Sequence, residues 1–192
     1  MEKELTTNEV KYVKYEVPKI YKIYDLVKYN GYEWIVINVK DNKLTLMMKN
    51  CLPKEKMKEI FNNDYLDEDD DIKYNLEVRC ISWNKTEIRR GLNNKFLKEF
   101  NKEELVKMIT DYAFDYIRIP KIREIEGLDP DKIAPDKSCW MISPLDFVKQ
   151  WGNAYAWLHN SAGSLFTWWS VIYSLGVRPV ITIKSDLVAS FS

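Results

Sequence analysis

His159 is the one imidazole in the chain. A Ser-His-Asp or Cys-His site would have to use it, because an imidazole titrates near neutrality and can serve as the base. Three cysteines, Cys51, Cys80 and Cys139, offer thiols, but they are odd in number and widely spaced, and the sequence singles out none as a partner. Without a C-x-x-C pair they form neither a disulfide framework nor a zinc site, so three reduced, mostly buried thiols are expected. A lone histidine also rules out multi-histidine metal sites. No nucleophile elbow flanks His159, and neither a Gly-rich phosphate loop nor a paired-carboxylate signature can be identified. The expectation is therefore no cofactor, no metal and no catalytic residue, with His159 structural or facing a ligand.

The denser chemical signal is aromatic. The stretch "WLHNSAGSLFTWWSVIYSLGVRPVITI", residues 157–183, holds three tryptophans, the histidine and a single charge. Aromatic faces stack on sugar rings, and Trp and Tyr anchor protein interfaces. Trp168 and Trp169 are adjacent, so in a strand they face opposite sides, one to the core and the other to a surface. The candidate ligand-binding set is Trp157, His159, Asn160, Trp168, Trp169 and Tyr173, with Tyr155 near it. Arg178, between a valine and a proline in an apolar strand, must find a carboxylate or carbonyls if buried, and Arg89 on the inward side of its helix reads the same way. The two arginines are expected to share a network. Pro179 fits only a strand edge or bulge, which would leave an irregular, exposed segment beside Arg178.

These residues sit in a chain of 192 residues, 46% hydrophobic with seven tryptophans, enough to bury a core. Lysine plus arginine equals aspartate plus glutamate, 29 each, so no basic excess points to nucleic acid. Residues 138–192 carry only Asp146, Lys149, Arg178, Lys184 and Asp186 but five of the seven tryptophans, so a solvated first part and a buried second part are expected. Residues 150–177 lack formal charge, yet Asn, Ser and Gly punctuate them, so buried strands explain the run better than membrane insertion. The N-terminus has no apolar signal core, which implies cytoplasmic synthesis.

Along the chain, "YDLVKYNGYEWIVINVKDNKLTLMMKN" reads as a β-meander with turns at Asn30-Gly31 and Asp41-Asn42. Trp34, Val36 and Asn38 share one face of its central strand and Ile35, Ile37 and Val39 the other, both partly covered. Residues 53–61 form a short helix, and the acidic run 67–71 a solvated loop lacking the spacing of a calcium site. Thr86 caps a helix with Ile88, Arg89 and Leu92 inward, continued by Phe96, Leu97 and Phe100, and Asn101 with Glu104 opens another as a capping box. Residues 113–137 read as a strand-like piece and an irregular loop, 138–143 as a buried strand, and Ser143-Pro144 as the start of a helix reaching Trp151. Strands follow around 156–158, 165–171 and 176–183. Strands, then helices, then strands, without β-α-β alternation, indicate an α+β fold.

Several segments together resemble a domain family of bacterial and phage proteins designated DUF6273. They are "GYEWIVI", then Trp83–Phe100 with Trp83, Ile88, Arg89, Leu92, Asn93 and Phe96, then "CWMIS" at 139–143, "WLHNS" at 157–161 and "GVRPVITI" at 176–183. The resemblance implies a single domain over residues 21–192 after an extension of residues 1–20. It further implies a distant C-type-lectin-like fold with a mixed or antiparallel sheet and two or three packed helices, in which Arg89, Arg178, Trp83 and Asn93 are structural. The family usually has Trp-Leu-Arg-Ser where this chain has Trp157-Leu158-His159-Asn160-Ser161. The sugar-binding calcium motifs of C-type lectins are absent.

The resulting expectation is a non-enzymatic recognition module, phage- or bacterium-encoded, that binds a protein or a cell-surface glycan through an aromatic C-terminal surface. A virion or other structural subunit whose aromatic surface is a homo-oligomer interface is the second reading. An enzyme using His159 with a thiol or carboxylate is the third.

Overall fold

In the computed structural model, residues 20–77, 82–142 and 155–185 are described. The expected N-terminal extension, Cys80 and the helix from Ser143 to Trp151 lie outside them, apart from residue 20. Strands β1 (Leu26–Tyr29), β2 (Tyr32–Lys40) and β3 (Lys43–Met48) form the anticipated antiparallel meander. Its turns follow from backbone chemistry: Asn30, Gly31, Asp41 and Asn42 all take positive φ, the conformation that two-residue hairpins of this twist require. Trp34 is fully buried and its indole N–H donates to the Tyr29 carbonyl at 2.8 Å, which ties the first hairpin to the core.

The remaining elements are α1 (Lys54–Ile60), β4 (Ile72–Lys73), α2 (Glu87–Asn94), α3 (Lys102–Lys107), β5 (Met108–Ile109), β6 (Ile117–Arg118), α4 (Ile122–Ile125), α5 (Pro130–Ile133), β7 (Cys139–Trp140), β8 (Tyr155–His159), β9 (Leu165–Ser170), β10 (Ser174–Leu175) and β11 (Val180–Lys184). The fold is α+β, with five short α-helices among the described residues rather than two or three. The extra ones arise at 113–137, where a strand-like piece and an irregular loop were expected; the strand is β6 and the loop holds α4 and α5. Glu124 accepts from the Lys121 N–H at 2.9 Å to open α4, and Pro130 begins α5 behind Asp129, whose side chain accepts from the Asp131 N–H. Thr86 and the Asn101–Glu104 capping box start α2 and α3 as their sequences specify.

The last strand completes the main sheet from its middle. β11 pairs antiparallel with β3 on one side and with β5 and β6 on the other, in the order β1-β2-β3-β11-β5. Both faces are covered. Ile181 and Ile183 stand opposite Leu46 and Leu44 and join Trp34, Val36, Met57, Ile60, Ile88 and Phe96 in the larger core. Val180 stands opposite Met47 and joins Ile35, Ile37, Ile125, Ile133 and Met141 in the smaller one.

Two sequence-level expectations fail here for identifiable reasons. The β2–β3 register shifts between Val36 and Asn38, so Asn38 comes opposite Thr45, on the face of Ile35 and not of Trp34. Pro179 lies at neither a sheet edge nor an exposed bulge. It immediately precedes central strand β11, is buried, and offers its carbonyl to the Met48 N–H at 2.9 Å, so its missing N–H costs no ladder bond. The acidic run is tied down by lysines: Lys54 pairs with Asp69, Lys58 with Asp70 and Lys137 with Asp71, while Asp67 accepts from the N–H groups of Asp69 and Asp71.

The contact between α1 and α2 depends on Gly91, where a β-carbon would strike the Phe61 ring and approach Ile60 Cγ2 to 2.9 Å. Gly91→Ala should therefore be destabilising by about 1–2 kcal/mol in urea unfolding, because overpacking outweighs alanine's helix preference.

Candidate functional site

The β8–β9 hairpin carries the aromatic candidates, and its turn explains Asn160. The Asn160 side-chain oxygen accepts from the N–H groups of Ala162 at 3.1 Å and Ser164 at 2.8 Å, so this residue builds the loop. Gly163 has φ +79° there, and a β-carbon would run into the Pro130 backbone, which seats the tip of the hairpin on α5.

The β8–β9 register shifts by one residue: Ala156 faces Trp169, but Leu158 faces Phe166. Phe166 and Trp169, three positions apart, thus share a side with core residues Ala156 and Leu158. β9 is the outer strand of the sheet β7-β8-β9, where that side runs out past the core. Phe166 is 54% exposed, Trp169 43% and Tyr173 57%, and the last two rings lie 5.6 Å apart at 51°. This ridge is the candidate recognition site. Trp157 alternates to the opposite side, half-buried against the smaller core, so this member of the candidate set is separated from Trp169 and Tyr173. The Trp168 side chain lies outside the description.

His159 does not face a ligand surface. It is fully buried, opposite Cys139 in the β7–β8 pairing. Beside it lies Arg178, also fully buried, with Nη1 3.4 Å from His159 Nδ1. Arg178 finds carbonyls: Nε donates to Met48 O at 2.6 Å, Nη1 to Ile133 O at 2.6 Å and Nη2 to Lys49 O at 2.8 Å. Those oxygens end β3 and α5, where backbone acceptors lack partners of their own. Asp136, whose charge reaches the guanidinium, is bonded instead to the Cys51 N–H at 2.8 Å. Hydrogen bonds from Cys51 and His159, with the charge of Arg178, hold the Cys139 thiol below its ordinary range although burial opposes this. The same hydrogen bond to Cys139, together with burial, pushes the Cys51 thiol up.

Arg89 and Arg178 do not share a network. Arg89 Nε and Trp83 Nε1 both donate to Asp115 Oδ2 at 2.8 Å, and Arg89 Nη2 pairs with Asp115 Oδ1 at 2.7 Å. Asn93 accepts from the N–H groups of Tyr116 and Ile117 and donates to Ile117 O at 2.7 Å. Trp83, Arg89 and Asn93 together pin the segment before β6. Sequence reasoning missed the carboxylate that Trp83 and Arg89 share, although an aspartate inside "DYAFDYIRIP" was a usable signal. It also missed buried Arg118, held by Asp111 at 2.9 Å and Glu124 at 2.7 Å.

Behind that cluster, Asn38, Thr45, Thr182, Lys121 and Glu124 line an open polar depression of about 300 Å³. Among the described residues no group of three or more His, Cys, Asp or Glu is arranged for a metal ion, and no helix is long and apolar enough to cross a membrane. No protein-family model, no curated protein and no solved structure matches the chain.

Two outcomes follow from these clusters. Arg178→Met leaves two buried carbonyls and a part-buried one without their donor and should cost on the order of 3 kcal/mol in chemical unfolding, with Arg178→Lys recovering only part. Burial alone would raise the Asp111 carboxyl, but Arg118 and Lys121 outweigh it and hold it below its ordinary 3.8. A depressed carboxyl stabilises the fold above the unfolded value, and that stability is lost as pH falls through the folded one. Thermal melts should weaken below about pH 4, with a shallower acid limb in Asp111→Asn relative to its own neutral-pH value.

Proposed function

We propose that the chain is a non-enzymatic recognition module of distant C-type-lectin-like type that docks a protein through the ridge of Phe166, Trp169 and Tyr173. The observation that carries this reading is three large exposed rings, two on outer strand β9 and Tyr173 in the turn that follows it, with Trp169 and Tyr173 in contact. Leaving such rings in water is unfavourable, and clustered exposed aromatics mark interaction sites more than scattered ones do. A protein suits this ridge better than a glycan. The Trp169 and Tyr173 rings are tilted and not coplanar, Phe166 has no polar handle, and among the described residues β9 pairs only with β8, which leaves its other side for an added strand. A phage-encoded setting, with a virion or host protein as partner, is consistent with this chemistry.

The enzyme reading is weaker. The geometry does bring a thiol, Cys139, to His159, but both side chains are fully buried, so a substrate much larger than water reaches them only by opening the strands.

The test immobilises the chain and passes over it lysate and cell-wall extract from candidate bacterial hosts, beside Trp169→Ala and Tyr173→Ala variants of unchanged melting temperature. A retained protein that binds each variant at least about thirtyfold more weakly, the scale of a 2 kcal/mol hot spot, supports the proposal. Retention of a polysaccharide replaces it with the glycan reading. If nothing is retained and the wild type self-associates in a Trp169-dependent way, the ridge is an oligomer interface.

A further inference from the structure

The buried thiols use a construction that the recognition reading does not need. Cys51 follows β3 and Cys139 begins β7, and both are fastened to the segment leading into β11. Cys139 forms a parallel bridge with Gly176, supported by Gly176 N–H to Ser138 O at 3.0 Å and Trp140 N–H to Gly176 O at 3.1 Å. The residue after Cys51 donates its N–H to Val177 O at 2.8 Å. Gly176 is what lets the sulfurs meet. A β-carbon there would lie 2.7 Å from Cys51 Sγ, so the sulfur occupies the space of the missing side chain, beside the strand neighbour Cys139. The one S–H of Cys51 lies 3.6 Å from the Lys137 carbonyl, with the Cys139 sulfur as its other neighbour.

We propose that Cys51 and Cys139 form a redox-active thiol pair that closes to a disulfide when the folded protein meets a hydroperoxide. The surroundings assign the roles. Cys139, beside the Arg178 cation and the His159 imidazole, is the attacking sulfur, and Cys51, which retains its proton, is the resolving one. In the first step the Cys139 thiolate attacks one peroxide oxygen. An S–O bond forms, the O–O bond breaks, hydroxide leaves, and Cys139 is oxidised by two electrons to a sulfenic acid. In the second, Cys51 gives up its proton and attacks the Cys139 sulfur. The S–S bond forms, the S–O bond breaks and water departs. Two thiols and one hydrogen peroxide thus yield one disulfide and two waters. Hydrogen peroxide is little larger than water, and Cys51, 5% exposed, lies at the solvent side of the pair.

The experiment treats the folded full chain with hydrogen peroxide, alkylates the remaining thiols under denaturing conditions and maps the peptides by mass spectrometry. The expected product is one cross-linked species joining the Cys51 and Cys139 peptides, two hydrogens lighter than their sum and opened by a dithiol reductant, with Cys80 alkylated. In Cys51→Ser a cyclic 1,3-diketone should trap Cys139 as a sulfenic acid, and in Cys139→Ser neither the adduct nor the cross-link should form. The wild-type map alone can overturn the proposal: alkylation of both Cys51 and Cys139, a cross-link that uses Cys80, or a Cys139 sulfinic acid without the disulfide would each do so.

Discussion

The structure turns on one buried cation. A guanidinium out of water is costly unless its donors are satisfied, and Arg178 meets this by reaching three carbonyls at the ends of β3 and α5. That requirement fixes where the N-terminal meander, the small helices and the closing strand stand relative to one another. It also explains the run from Gly176 to Pro179, which sequence patterning assigns to a continuous strand. Here the chain spends its polar groups on the arginine fork, on the bridge to β7 and on single bonds to the chain around β3, and regular pairing with β3 begins at Val180.

Around that anchor the main sheet is covered on both faces, with alternate residues of β11 passing into two cores. Such a strand must be apolar on both sides, as "VITI" is, and its partners β3 and β5 are distant from it in sequence. The β8–β9 hairpin is built differently. Its inner residues join both cores, but its outer strand passes beyond them, and a one-residue register shift delivers Phe166 and Trp169 to the same side. The exposed ridge and the buried arginine cluster are therefore two faces of one hairpin, joined through the pairing of His159 with Cys139.

Much of this was legible in the residues. Asn30-Gly31 and Asp41-Asn42 specified their turns because few residues tolerate positive φ, and Thr86 and Asn101 specified helix starts because their side chains cap local N–H groups. The demand of Arg178 for a carboxylate or carbonyls followed from charge and apolar context, and the structure supplies carbonyls. The roles of Trp83, Arg89 and Asn93 were anticipated as structural, but not the Asp115 carboxylate that Trp83 and Arg89 share, which reaches them only by folding back. His159 was left as structural or ligand-facing because a lone histidine in an aromatic stretch gives no sign of whether its face of the strand meets solvent or another sheet; burial favours the structural role.

The sequence by itself determined what its local and periodic chemistry could encode: an α+β chain, the meander and its turns, the caps, and an arginine that must be satisfied indoors. The tertiary structure decided which strand lies at the centre of the sheet, which aromatic rings reach water, and which thiols meet. Those outcomes depend on a register shift of one residue and on contacts between segments far apart in the chain. A slip of one position exchanges the faces of a strand without any change in composition, so only the folded arrangement could settle them.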